Sequence, residues 1–192
     1  MREPLRLLIT ASGKDKGRLT CDDLLLIDSE GRPVEATALR PSAETALHTM
    51  LARRPGVGAV LHTHSVWATI LSEHHAPAGG LVIEGYEMLK GLAGVATHEH
   101  RLWVPIFPNS QDIPALARDV AGSFGTPGRP LSHGFLIRGH GLYTWGRDVD
   151  EARRHVEAFE FLFETVGHRR GRGQGLGRTG PSPFRPRAIP RR

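Results

Sequence analysis

Cysteine is nearly absent from this chain. Cys21 is the single one among 192 residues, so no internal disulfide can form, and any metal site must be drawn from histidine and carboxylate. Long hydrophobic runs are missing too: none approaches the roughly 18 to 20 apolar residues that a membrane span needs, and Met1-Arg2-Glu3-Pro4 has no apolar stretch of the kind that opens a secretion signal. The expectation is a soluble, cytoplasmic protein without a membrane partner. Acidic residues are lacking from His168 onward, where eight arginines stand among glycine and proline. That composition cannot offset its own ordering entropy. The chain is therefore divided into one domain over residues 1–167 and a disordered Arg/Gly/Pro-rich tail over 168–192. The tail holds eight of the 25 basic residues, so 17 remain to face all 20 acids and the body is mildly acidic despite the formal net charge of +5. With Phe184 the one aromatic among the arginines to stack on bases, no specific nucleic-acid partner is expected.

What the chain does have is 39% hydrophobic residues, enough for a substantial core, and eleven histidines. Leu5 to Ile9 reads as a short strand, followed by the small, polar loop Thr10-Ala11-Ser12-Gly13-Lys14-Asp15-Lys16-Gly17. Leu24 to Ile27 reads as a strand entering a turn, with Val34 starting the return of a hairpin. Ser42 is placed to cap a helix whose apolar residues Ala43, Ala46, Leu47, Met50 and Leu51 recur until Pro55-Gly56. Val57 to Leu61 forms a strand ending in His62-Thr63-His64, and Ser65 caps the next helix. Leu102 to Phe107 and His133 to Ile137 are further strands, with a helix over Ile113 to Val120 capped by Asn109 or Ser110 between them. Leu142 to Trp145 continues extended after Gly139-His140-Gly141. Val149, Ala152, Val156, Phe159, Phe163 and Val166 mark a final amphipathic helix. Strands and helices alternating in this irregular way predict a sheet of mixed strand direction with helices on both faces.

His62-x-His64 carries the strongest chemical signal, because residues two apart on a strand face the same side and can reach one ion. His140, set between glycines, supplies a third nitrogen and would leave a coordination position open for substrate. His98-x-His100 has the same spacing, but lies among Thr97, Glu99 and Arg101 instead of after a fully apolar run. Two carboxylates stand out. Glu44 falls in the first turn of the Ser42-capped helix, where a negative charge also stabilises the helix end. Glu87 lies between apolar neighbours that would raise its pKa toward that of a working acid or base, or it is a surface glutamate paired with Lys90.

Taken together, Ile9-Thr10-Ala11-Ser12-Gly13-Lys14, Leu39-Arg40-Pro41-Ser42-Ala43-Glu44-Thr45, Leu61-His62-Thr63-His64-Ser65, Glu84-Gly85-Tyr86-Glu87-Met88-Leu89-Lys90-Gly91 and Arg138-Gly139-His140-Gly141-Leu142-Tyr143-Thr144-Trp145-Gly146 resemble the class II aldolase and adducin family in order and interval. The last two segments resemble its dehydratase branch. The resemblance implies an α/β fold of three layers, α/β/α, around a central mixed, largely antiparallel sheet. It also implies one Zn2+ per subunit on His62, His64 and His140, Glu87 as acid/base, and a sugar-phosphate substrate. Ser12 and Gly13 match part of a phosphate-binding loop that Lys14 or Lys16 would assist, in a homotetramer. In the family's aldolases the catalytic carboxylate falls at Glu44, here counted among the substrate-binding residues. Retro-aldol cleavage is therefore the alternative to dehydration, and a noncatalytic member is a third possibility. Family members usually carry a helix and a further phosphate-contacting loop ahead of the position of Leu5, so the domain reads as N-terminally shortened.

Overall fold

The computed structural model describes residues 5–175. A small hairpin sheet comes first, with β1 (Leu7–Thr10) antiparallel to β2 (Leu24–Ile27). Its own core is Ile9, Ala11, Leu25 and Ile27. The segment after β2 returns as expected but forms only a single bridge, Ile27 to Pro33, and Val34 N–H donates to the Leu26 carbonyl. Asp28 explains why the turn is tight: its carboxylate accepts from the backbone N–H groups of Glu30 and Arg32.

The main sheet contains β3 (Ala59–Thr63), β4 (Gly80–Ile83), β5 (Leu102–Phe107), β6 (Gly134–Ile137) and β7 (Gly141–Gly146), ordered β3-β7-β6-β5-β4. Every neighbouring pair is antiparallel except β5 and β6, which run parallel. α1 (Thr45–Ala52) and α3 (Ile113–Ser123) cover one face, packing Leu47, Leu51, Leu116 and Val120 against Phe135, Tyr143 and Trp145. α2 (Val66–His75) and α4 (Val149–Gly175) cover the other, where Leu71, Phe159, Leu162 and Phe163 meet Ile83, Val104 and Leu136. The expected three-layer α/β/α arrangement around a mixed, largely antiparallel sheet is thus present.

Several local expectations need correction. β4 is a strand that the sequence pattern did not reveal. Ser42 is not the cap of α1: Pro41 is held in a bridge to Ala11, and the Ser42 hydroxyl accepts from Glu44 N–H, so the helix begins two residues later with Glu44 at its N-cap. Neither Asn109 nor Ser110 caps α3; Asp112 does, accepting from Ala115 N–H at 2.9 Å. Ser65 does cap α2 as read, accepting from Ala68 N–H at 3.1 Å. Finally, α4 runs on to Gly175, into the segment expected to be a tail, and the remainder of that segment lies outside the described residues. Among the described residues no helix is long and apolar enough to cross a membrane.

Candidate functional site

Strand order decides where the chemistry collects. β3 and β6 are each antiparallel to the β7 between them, and β5 is parallel to β6. The C-terminal ends of β3, β5 and β6 therefore open on one rim of the sheet, a common place for ligands in α/β proteins. His62 and His64 leave from β3, His140 from the β6–β7 turn, and Asn109, Ser110 and Gln111 follow β5. Gly139 makes the turn possible, with a φ of 59° that a side chain would resist.

The three Nε2 atoms converge. His62 lies 2.8 Å from His64 and 3.3 Å from His140, and His64 lies 2.9 Å from His140. His62 Nδ1–H donates to the Leu142 carbonyl at 2.9 Å, which fixes the tautomer and leaves Nε2 bare. Burial pushes the pKa of His62 down to about 4, only partly opposed by Glu44, so the ring is neutral near pH 7. Nitrogens bound tetrahedrally to zinc at about 2.0–2.1 Å would lie about 3.3 Å apart. The observed spacing needs little expansion to take an ion. The rival histidines do not join this cluster: His98 pairs with Glu87 at 3.1 Å, and the His100 ring lies beside His133.

Glu44 reaches the triad from the start of α1, its carboxylate 3.4 Å from His62 Nε2 and 3.7 Å from His140 Nε2. Glu44 Oε1 is buried without a hydrogen-bond partner. An unsatisfied carboxylate oxygen beside three imidazoles suits a cation, since burying a charge unpaired is costly. The Tyr143 ring stacks on His62 at 4.1 Å; burial first, and the Glu44 charge second, raise its phenol pKa.

A cavity of about 400 Å³ opens next to these groups. It is lined by Ser12, Gly13 and Lys16, by Ser42, Ala43 and Glu44, by Asn109, Ser110, Gln111 and Ile113, and by His140. Ser12 N–H donates to the Arg40 carbonyl at 2.8 Å, which draws the hairpin loop against the segment that leads into α1. Lys14 does not line the cavity. It pairs with Asp23 at 2.8 Å and holds that carboxyl at about 2, while Lys16 takes the place facing the site.

Glu87 takes the second of its two expected places, a surface glutamate paired with Lys90, and not the desolvated one. β4 runs antiparallel to β5 and delivers the chain to the opposite rim from the triad. The side chain is 71% exposed, and its pKa is lowered, first by the hydrogen bond from Lys90, with a further contribution from the His98 charge. Its apolar neighbours do not desolvate it because the 3-10 turn Glu87–Gly91 directs Leu89 into the core and leaves Glu87 outside.

With that geometry in place, comparison with known proteins gives a consistent result. The family model "Class II Aldolase and Adducin N-terminal domain" matches residues 1–166. The chain belongs to the class II aldolase and adducin family. Within it, the chain is 55% identical over 156 residues to the methylthioribulose-1-phosphate dehydratase of Stenotrophomonas maltophilia, covering 81% of this chain and 71% of the relative. Identity to the dehydratase of the same name from Pectobacterium atrosepticum is 57% over 164 residues, covering 85% and 78%. Among solved structures, L-fuculose-1-phosphate aldolase from Thermus thermophilus superposes with a TM-score of 0.66 at 28% identity, covering 88% of this chain and 81% of the aldolase. A metal ion suits both this family and the histidine cluster.

Sequence reasoning missed several contributors to the site. Asn109 and Ser110 were read only as helix caps, Gln111 was not singled out, and Ser42 and Tyr143, though inside the family-like segments, were given no role beyond a cap and a strand position. The sole signal for the Asn109–Gln111 segment was its position after an apolar strand, which carries no chemistry until the strand order is known.

Proposed function

We propose that this chain is a hydro-lyase of methionine salvage that removes water from 5-methylthioribulose 1-phosphate, giving 2,3-diketo-5-methylthiopentyl 1-phosphate. The observation that carries the reading is the convergence of three imidazole nitrogens at the end of a polar cavity, in a chain more than half identical to dehydratases of that name. His62, His64 and His140 would hold one zinc ion per subunit. Bound there, zinc would polarise the ketose oxygens and acidify the neighbouring C–H. Ser12, Gly13 and Ser42, with Lys16, hold the phosphate and fix the reacting end. Glu44, beside the triad, receives the C3 proton. Protonated Glu87 donates to the departing C4 hydroxyl, so that water leaves and the enol formed rearranges to the diketone.

Glu87 cannot serve the triad of its own chain from the opposite rim. Its exposure supports a homotetramer in which Glu87 of one subunit completes the site of another. Enclosure by that neighbour would also raise a pKa that the Lys90 hydrogen bond keeps low in the isolated chain. The working compartment is the cytoplasm, where a lone exposed Cys21 stays reduced.

A second reading, retro-aldol cleavage with Glu44 as acid/base, draws support from the closeness of Glu44 to His62. Product analysis separates the two, because cleavage yields two shorter carbonyl compounds and dehydration keeps the carbon chain whole. Under the dehydratase reading, Glu87→Gln retains its metal and loses turnover. Mixing it with inactive His64→Ala subunits then restores activity that neither has alone. Full activity of Glu87→Gln would remove that carboxylate from the mechanism.

A further inference from the structure

The segment between β4 and β5 is long and almost free of regular structure, yet it carries Glu87. Leu89, Leu92 and Val95 bury side chains in the core, but apolar contacts alone fix neither the height nor the rotation of a turn. Polar contacts at the backbone of one residue supply that. Ala93 N–H donates to His155 Nε2 at 2.9 Å, and the Ala93 carbonyl accepts from His133 Nε2–H at 2.8 Å.

Both rings are locked in one tautomer by what else they touch. His155 Nδ1–H donates to the Trp145 carbonyl at 2.7 Å, which leaves its Nε2 as an acceptor for Ala93. His133 must carry its proton on Nε2 to reach a carbonyl, so its Nδ1 accepts from the Ser132 hydroxyl at 2.9 Å. The His133 carbonyl is held in turn by the Thr144 hydroxyl at 2.7 Å. One residue before His155 on α4, Arg154 donates to the Gly91 carbonyl at 3.0 Å.

We propose that His133 and His155 are positioning residues, a two-histidine clamp that grips the Ala93 backbone through the peptide groups before and after its Cα and thereby sets the place of the Glu87 turn. The inference rests on the reading of Glu87 as the acid. The clamp holds only while His155 is neutral: a proton on its Nε2 would set donor against donor at Ala93, whereas one on His133 Nδ1 would merely reverse the contact with the Ser132 hydroxyl.

The surroundings oppose those protons. His155 is 3% exposed, and burial is the main cause lowering both pKa values. The charged and titratable groups around the pair are Glu151 and Arg154 on α4, His100 ahead of β5, and the two rings themselves, 5.7 Å apart. Of these only Glu151 favours protonation, and its carboxylate is already shared with Arg147 and Arg154. Because the folded pKa values lie below the ordinary value of 6.5, the unfolded segment binds more protons below that pH. The clamp is complete above about pH 6.5 and weakens as pH falls toward the lowered folded values.

The test uses the full-length, zinc-loaded protein and hydrogen exchange resolved to segments, corrected for intrinsic rates, from pH 7.5 downward. Protection of Leu89 to Ala93 should fall in acid before that of β7. His155→Gln, whose amide can present an acceptor without a titrating ring, should keep protection and abolish its pH dependence. His155→Leu should lose protection at every pH, with kcat down about tenfold or more, as expected for an orphaned buried N–H, while KM and zinc content stay near the parent's. Protection in the parent that stays flat until the whole protein unfolds would overturn the clamp, as would a His155→Leu variant with unchanged protection. Should Glu87→Gln prove fully active, the catalytic reading fails while the exchange result still judges the clamp by itself.

Discussion

Adding one methyl group at Gly141 should damage the proposed metal centre without replacing any ligand. Gly141 opens β7, pressed against the end of β3, and a Cβ there would stand 2.1 Å from the Thr63 carbonyl oxygen and 3.1 Å from His64 Cδ2. Real Cβ atoms essentially never come closer than 3.0 Å to such an atom, so Thr63 must retreat by about 0.9 Å. Thr63 lies between His62 and His64, and the three imidazole nitrogens are only 2.8 to 3.3 Å apart. Metal–ligand distances tolerate about 0.2 Å. A displacement several times larger should weaken zinc binding by about 10- to 100-fold, comparable with the loss of an orienting partner. The fold should survive at a cost of about 1–3 kcal/mol, as for other overpacked sites. Zinc content of Gly141→Ala after dialysis against graded chelator, measured beside thermal melting, reads both quantities. A variant that melts and holds zinc like the parent would refute the reasoning, since it would mean that the two strands can part without moving the rings.

Acid sensitivity should trace in part to His48, whose pKa burial lowers from 6.5 to about 4 against the opposing pull of Glu44. Being depressed in the folded state, it contributes stability above about pH 6.5 that is lost as pH falls toward 4, up to about 3 kcal/mol. Urea titrations of the metal-free protein at pH 7 and pH 4.5 should therefore differ less for His48→Gln than for the parent, and an equal difference would sink the assignment. Phe135 is fully buried between Tyr143, stacked at 5.1 Å, and the edge of Phe107 at 5.4 Å. Phe135→Ala should cost about 3–5 kcal/mol, and a loss below about 1 kcal/mol in chemical denaturation would show that α1 and α3 collapse onto the gap.

Which parts of this architecture could be read along the chain follows from the range of the interactions. Period-two histidines after an apolar strand, a serine before a helix, and the apolar stripe of α4 are local signals, and they stand in the structure where the pattern put them. β4 escaped because four residues, Gly80-Leu81-Val82-Ile83, are too few to establish an alternation, and three of them are buried, which blurs it further. Ser42 failed as a cap because a distant contact, Pro41 with Ala11, holds the chain extended there. The desolvated alternative for Glu87 failed for the same class of reason, while its pairing with Lys90 held. Apolar neighbours in sequence desolvate a carboxylate only when they fold over it, and a 3-10 turn, at three residues per turn, points Leu89 inward and leaves Glu87 outside. The separation of Glu87 from the triad depends on strand order, and no spacing along a chain encodes which rim a strand will reach.

The hairpin of β1 and β2 has a consequence of its own. Ser12, Gly13 and Lys16 ride on a sheet that shares no strand with the one bearing the imidazoles, and each sheet packs its own interior. Under the proposed function, recognition of the substrate's anionic end and activation of its carbonyl end would rest on different sheets, joined where Ala11 and Ser12 meet Arg40 and Pro41. Drift in the hairpin would then retune which sugar phosphates are captured while the imidazole cluster stays as it was, a division that would let a single scaffold explore new substrates without first dismantling its chemistry.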